Sequence, residues 1–326
     1  MRDVIIATVP AIIASGIIFG LRSVLVILVS VLSCMFFEYI SRRIMKRDNT
    51  LSDLTAVVTG VLLAFNLPPT LPYYMVVIGA FFAIVVVKQM FGGLGNNFVN
   101  PALTSRIILA IAFPNDMTTW KLAEGPFNFV KSLQGVDLVS SATPLAILKH
   151  QGLQGAANLP SLLTMFLGDK AGCIGEVSIL ALSIGVIYML CRKIITLWIP
   201  LTYIGTVMLM TLFIGHHNIF DLFTGGTPTA DTWRQVLSEP VYMMMAGGLF
   251  VGAFFMATDY VTSPITTRGR IFFGIGCGVI TVLIRYFGNI PEGVSFSIVL
   301  MNILTPHLDK ATLPKTFGEV KQHEKS

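Results

Sequence analysis

Apolar runs long enough to cross a lipid bilayer follow one another along almost the whole chain of 326 residues. The first two, about residues 4–20 and 23–40, are separated only by a short link at Arg22. A helix that spans a bilayer needs about 20 apolar residues, and lipid offers the backbone no hydrogen-bond partner outside the helix itself. With 54% hydrophobic and 12% charged residues, the chain lacks the polar surface of a soluble enzyme and the charge of a disordered one. The sequence therefore predicts an all-α polytopic membrane protein.

The apolar runs and the breakers between them predict about ten transmembrane helices. Paired prolines after Asn66 stop the third span, and Pro101 opens a shorter fifth one after a glycine-rich break. The predicted spans are about 4–20, 23–40, 53–67, 73–91, 101–113, 172–191, 194–214, 241–257, 271–287 and 293–305. A polar loop (114–143) and a semi-polar stretch (144–170) separate the fifth span from the sixth, and residues 307–326 form a charged tail.

The distribution of Lys and Arg predicts the orientation. When the spans alternate from a cytoplasmic N-terminus, most basic residues fall on the cytoplasmic side, as the positive-inside rule requires. Both termini are then cytoplasmic, and the loops 114–170 and 215–240 are external. The net charge of +5 is explained by this bias, so we expect contact with membrane lipid and no nucleic-acid partner.

Two interrupted helices predict an internal repeat. Gly-Ala-Phe-Phe occurs at 79–82 before the glycine-rich break and again at 252–255 before a polar break at 258–264. We interpret these segments as equivalent elements of two five-helix units, and an odd number of spans inverts the second unit. Inverted repeats with broken helices place binding sites at the breaks. The predicted division is residues 1–157, an inverted unit 158–306, and a cytoplasmic tail 307–326.

A polar segment before a helix carries the clearest chemical signal. Residues 137–146 read Asp-Leu-Val-Ser-Ser-Ala-Thr-Pro-Leu-Ala, in which Thr143 is suited to cap a helix and Pro144 to be its first residue. By composition alone this is an ordinary loop entering a helix. The pattern also resembles the site at which the NqrB/RnfD family attaches FMN through its phosphate to a threonine hydroxyl.

Two further motifs strengthen the resemblance. Residues 88–102 read Lys-Gln-x-x-Gly-Gly-Leu-Gly-x-Asn-Phe-x-Asn-Pro-Ala, like the broken-helix signature of the family, and residues 302–309 read Asn-x-x-x-Pro-x-x-Asp, like the end of its last span. The family comprises membrane subunits of the sodium-pumping quinone reductase and of the Rnf ferredoxin–NAD complex. The quinone-reductase branch carries glutamate where this chain has Gln89, so the chain resembles the Rnf branch.

The resemblance implies a covalent FMN on Thr143, with Ser140 and Ser141 placed to donate to its phosphate. Asn100 and Arg106, in the first broken helix, are candidate flavin contacts. A second, noncovalent flavin such as riboflavin is also implied, and no motif locates it. In bacteria the flavin transferase of the family acts on the external side, where the predicted topology places Thr143.

The resemblance also implies a place in a larger assembly. The partners would be the flavin and iron–sulfur subunits of a complex in the prokaryotic cytoplasmic membrane, which couples ferredoxin and NAD chemistry to Na⁺ or H⁺ translocation. The chain has no nucleotide motif, and its four cysteines form no CxxC pair, so we expect a subunit of an oxidoreductase that is inactive alone. His216 and His217 lack a third ligand, and no metal site is predicted.

Ionisable residues at membrane depth are costly and often functional. Glu38, Asp259 and Asp309 are the candidate ion-pathway residues. The bland interpretations are that Glu38 pairs with Arg42 one turn later and that Asp309 is solvated. A different class of function, a secondary transporter or channel with a fold like that of urea transporters, would leave Thr143 as a helix cap only, and a structural scaffold would bind no flavin.

Overall fold

A computed structural model describes residues 1–120, 143–151, 159–168, 170–176, 178–215, 219, 230–288 and 292–313. Within these ranges every regular element is a helix, as predicted. The predicted loop serines Ser140 and Ser141, the histidine pair and the boundary at 157/158 lie outside the described residues.

The first part of the chain contains six α-helices. They are α1 (Arg2–Phe19), α2 (Leu21–Ile44), α3 (Thr55–Phe65), α4 (Tyr73–Phe81), α5 (Pro101–Ala112) and α6 (Pro114–Thr118). A 3₁₀ turn, Leu51–Asp53, precedes α3, and α4 continues directly into a π-helix, Phe82–Gln89. π-helical turns are rare and occur preferentially at functional sites.

The second part contains eight more. They are α7 (Pro144–Gln151), α8 (Leu162–Leu167), α9 (Ile179–Cys191), α10 (Trp198–Ile214), α11 (Ala230–Met245), α12 (Leu249–Val251), α13 (Thr267–Phe287) and α14 (Val294–Thr312). A second π-helix, Gly252–Met256, follows α12 and coincides with the second Gly-Ala-Phe-Phe segment.

Several of these helices are apolar enough for a membrane. By length and hydropathy α1, α2 and α13 each suffice to cross it, and Val236–Met245 with Leu249–Met256 forms a fourth candidate bent by 66°. Five shorter apolar helices lie at α3, α4 with its π-helix, α5, α9 and α10. This is the architecture of a helical membrane protein.

Close helix approach at small residues holds the bundle together. Gly60 of α3 lies against the backbone of Val31, and its carbonyl accepts from the Ser30 hydroxyl at 2.7 Å. Gly185 of α9 lies against the carbonyl oxygen of Ala7, which brings α9 onto α1. Small interfacial residues that let backbones approach are typical of helix packing in lipid.

Two predicted boundaries were wrong. The helix predicted to begin near residue 241 begins at Ala230, because its first turns are amphipathic rather than apolar and escape a search for hydrophobic runs. The tail predicted to begin at residue 307 is helical to Thr312, since α14 continues through Pro306.

The end of α3 lies inside the protein and is bonded to another segment. The Ile174 N–H donates to the Leu67 carbonyl at 3.0 Å, and the Gly175 N–H donates to the Phe65 carbonyl at 2.9 Å. The segment 170–176 thus satisfies carbonyls that a broken helix leaves open. This junction positions the buried polar residues described next.

Candidate functional site

Thr143 caps α7 as the sequence predicts. Its Oγ1 accepts from the Ala146 N–H at 3.2 Å, its carbonyl accepts from the Ile147 N–H at 3.1 Å, and the residue is buried. The side chains of Leu145 and Leu148 anchor α7 in a small core that includes Met165 and Met243. Thr143 is therefore held at a fixed helix N-terminus, a position that favours a negatively charged group.

Arg106 is the centre of a buried polar cluster. Its Nε donates to the Asn66 carbonyl at 3.0 Å, one terminal nitrogen donates to the Ser295 hydroxyl at 2.5 Å, and the other pairs with Glu292. The guanidinium thus connects α5, the end of α3 and the start of α14. Arg106 does not line the cavity described below, and its role as a flavin contact stays a prediction.

A carboxylate and a thiol lie beside this arginine. Cys173, Glu176 and Glu292 place their ligand atoms within 4.8 Å of one another. Sequence reasoning missed this group, because the three residues are scattered along the chain and only two belong to one segment. Since Arg106 pairs with Glu292, a guanidinium already balances part of the charge that a metal ion would balance.

Asn100 joins two of the sequence motifs. Its side-chain oxygen caps α5 by accepting from the N–H groups of Ala102 and Leu103 at 3.1 and 3.3 Å. Its own N–H donates at 3.1 Å to Asn302, in the amide orientation that the neighbours of Asn302 require. The motifs at 88–102 and 302–309 are therefore in contact, although about 200 residues separate them in the sequence.

A cavity of about 220 Å³ opens between the two parts of the chain. Phe254 and Phe255 of the second π-helix supply aromatic walls, and Asn97 and Asn100 supply amides. An apolar pocket with a few convergent polar groups is the usual form of a small-molecule site. The charged residues at its wall are Lys88 and Asp259.

Glu38 is fully buried and pairs with Lys88, not with Arg42. The Lys88 Nζ lies 2.6 Å from a Glu38 carboxylate oxygen and 2.7 Å from the Thr55 hydroxyl. Sequence reasoning assigned Lys88 no role beyond the motif, although a lysine inside an apolar run is itself a signal that a buried partner exists.

The other two ion-pathway candidates are bound into local structure. Asp259 lies between the second π-helix and α13 and accepts from the Thr262 hydroxyl at 3.3 Å. Burial raises the pKa of its carboxyl group, while the Val261 N–H and the Thr262 hydroxyl act in the opposite direction. Asp309 accepts from the Ile265 N–H at 3.0 Å and so ties α14 to the segment before α13. Of the three candidates, Glu38 and Asp259 are associated with the cavity, Glu38 through Lys88.

Comparison with known proteins agrees with the motifs. The family model described as the NQR2, RnfD, RnfE family matches residues 1–318. The chain is 41% identical over 98% of its length, and 91% of the relative's, to the RnfD subunit of the Na⁺-translocating ferredoxin:NAD⁺ oxidoreductase complex of Acetobacterium woodii. It is 42% identical, with the same coverage, to the corresponding subunit of the proton-translocating complex of Clostridium ljungdahlii.

A third relative is more distant. The corresponding subunit of an ion-translocating oxidoreductase complex of Alcanivorax borkumensis is 35% identical over 98% of this chain and 92% of its own. Because the relatives named for Na⁺ and for protons are almost equally similar, overall identity does not indicate the ion.

Proposed function

This chain belongs to the NQR2, RnfD, RnfE family, and on that premise we propose that it is the RnfD subunit of an ion-translocating ferredoxin:NAD⁺ oxidoreductase complex. In this proposal the chain carries electrons through an FMN esterified to Thr143. The observation that carries the proposal is the position of Thr143 at the N-terminus of α7, inside the motif that resembles the flavin attachment site.

The residues around Thr143 suit a phosphoester. An ester oxygen at the Oγ1 position still accepts from the Ala146 N–H, so attachment need not unwind the cap. The N-terminus of α7 stabilises the negative charge of the phosphate. Leu145 and Leu148 keep α7 in place while the tethered group occupies the space next to it.

The bound flavin would supply one- or two-electron transfer, the chemistry that proteins take from a cofactor. The chain contributes the tether and the walls. For the noncovalent riboflavin we propose the cavity of about 220 Å³, since Phe254 and Phe255 offer aromatic faces and Asn97 and Asn100 offer amide groups to a heterocycle.

We propose the finer membrane arrangement as well: ten spans in two inverted units of five, with both termini cytoplasmic. The contact of α1 with α9, the first helices of the two units, supports it. The two Gly-Ala-Phe-Phe segments do not, because they lie in the fourth and eighth predicted spans. Elements four spans apart are not equivalent in an inverted five-plus-five repeat, so that argument from the sequence was wrong.

The proposed partners follow from the names of the relatives and from the family resemblance. They are the other subunits of the complex in the prokaryotic cytoplasmic membrane, including its flavin and iron–sulfur subunits, and a flavin transferase during maturation. Alone, the chain is expected to complete no reaction.

The test is coexpression of the full chain with a flavin transferase, followed by intact mass and in-gel flavin fluorescence of the denatured protein. We expect one FMN adduct, absent from Thr143→Ala. Thr266→Ala is the matched control, since Thr266 caps α13 through the Gly269 N–H at 3.0 Å and carries no motif. A chain of unmodified mass beside an active transferase would refute the flavin proposal, and solute flux through liposomes with that chain would support a transporter.

A further inference from the structure

The Glu38–Lys88 pair lies in a shell of oxygen ligands. One carboxylate oxygen of Glu38 faces the Lys88 ammonium at 2.6 Å, and the other accepts from the Thr50 hydroxyl at 2.7 Å. The ammonium also donates to the Thr55 hydroxyl at 2.7 Å. Glu38 is 0% exposed and Lys88 is 3% exposed, so the ammonium is the charge that balances this carboxylate.

We propose that Glu38, Thr50 and Thr55 form a Na⁺ site in which the Lys88 ammonium is a tethered, displaceable cation. An ammonium is a compact point charge on a flexible stem. Hard cations prefer carboxylate, hydroxyl and carbonyl oxygens. Two hydroxyls beside one carboxylate are more than a proton needs, and they suit a metal cation.

The structure gives the displaced ammonium a place to go. Lys88 and Thr55 both line the cavity of about 220 Å³, so the stem of Lys88 can swing towards open space. Asp259 lines the same cavity and offers a second carboxylate. Each exchange leaves Glu38 neutralised by Na⁺ and adds one positive charge to the cavity, where a negatively charged molecule would balance it.

The segment that carries Lys88 is prepared for a change of position. Lys88 and Gln89 end a π-helix, whose hydrogen bonds differ in register from those of an α-helix. Gln89 is 0% exposed, and among the described residues neither of its amide atoms has a hydrogen-bond partner. A buried amide without partners is costly, so the arrangement with Lys88 on Glu38 is not the best one for Gln89.

A purely structural ion pair would have a simpler environment. Replacing a buried pair by apolar residues is often neutral or stabilising, so burial alone is weak evidence for a stability role. The other ionisable groups of this region are Cys34, one turn before Glu38, and Arg42, one turn after it. Within the part of the chain that the structure describes, the hydrogen-bond partners of the Glu38 carboxylate are Lys88 and Thr50.

The experiment is a Na⁺ titration of the full chain in detergent, with choline chloride replacing NaCl at constant ionic strength and the thermal unfolding midpoint as readout. Lys88→Met removes the tethered cation. We expect its midpoint to rise with Na⁺, with a half-effect at a concentration at least about tenfold below that of the wild type. Lys88→Met/Glu38→Gln should show no specific Na⁺ response, and Lys88→Arg should behave like the wild type.

Thr50→Val provides a second line if Lys88→Met does not fold. It removes one oxygen ligand without leaving an unpaired charge, and it should weaken the Na⁺ response of the wild type severalfold. A Lys88→Met midpoint that follows choline and Na⁺ equally, or that responds to pH and not to Na⁺, would overturn the proposal.

Na⁺ binding itself does not depend on the flavin, whereas a role in ion translocation rests on the proposed function. Flavin fluorescence of the same samples separates the two failures. A chain with the FMN adduct and no Na⁺ response refutes only the cation site, and a Na⁺ response without an adduct refutes only the flavin proposal.

Discussion

Two buried ion pairs in this protein are built in different ways. Lys88–Glu38 joins α2 to the first π-helix through a single ammonium, and it borders a cavity. Arg106–Glu292 lies where α3, α5 and α14 meet, and the guanidinium also donates to the Asn66 carbonyl and the Ser295 hydroxyl. A point charge next to open space can leave its partner. A planar fork bonded in three directions cannot leave without breaking the junction.

The difference suggests separate roles for two equally costly groups. Arg106 fixes the geometry of the broken helices, whereas Lys88 holds a charge that another cation can replace. Ionisable groups at membrane depth are expensive in both cases. Only their partners distinguish them.

The largest expected effect is at Arg106. Arg106→Met leaves Glu292 buried without its partner and removes the donors to Asn66 and Ser295, so we expect a loss of about 3–5 kcal/mol in unfolding free energy. Unfolding in mixed micelles measures it. The control is Arg270→Met, whose guanidinium donates to the Pro264 carbonyl and the Thr196 hydroxyl near the surface. Equal effects for both variants would contradict a special role for Arg106.

Exchanging the two basic side chains sharpens the comparison. Arg106→Lys keeps the charge and loses the fork, and we expect a loss of about 2 kcal/mol, because each buried hydrogen bond contributes about 1 kcal/mol. Lys88→Arg adds volume next to the cavity and should cost under about 1.5 kcal/mol. If Arg106→Lys were neutral, the argument from guanidinium geometry would be lost.

The smallest expected effect comes from single hydroxyls. Ser295→Ala removes one acceptor from Arg106, and Thr55→Val removes one acceptor from Lys88, so each should cost about 1 kcal/mol. The two variants should differ in their response to salt. Thr55→Val should alter the Na⁺ titration and Ser295→Ala should not, and a shared response would indicate a general electrostatic effect.

Particular residues show how far the sequence reached. Thr143 was predicted as a cap from Thr-Pro at the start of a helix, and the structure confirms the cap. Asn100 before Pro101 was likewise a readable helix start, and it caps α5. Such signals are local, since a cap and the N–H groups it binds lie within three residues of each other.

The pairing of charges was not readable. Glu38 was expected beside Arg42, its neighbour one helical turn away, but it pairs with Lys88, 50 residues along the chain. Glu176 and Cys173 were not selected at all, because their proximity to Arg106 and Glu292 depends on how the segment 170–176 bonds to the end of α3. No periodicity records that contact.

The sequence by itself determined the class of the protein, its family and its local helix starts. Hydropathy along the chain, short motifs and helix caps are all properties of neighbouring residues, and lipid forces apolar segments to satisfy their backbone as helices. The tertiary structure alone decided which buried charges are partners and which of them adjoin the cavity. Those contacts join residues far apart in the chain, and their energy depends on packing and burial that only the assembled helices create.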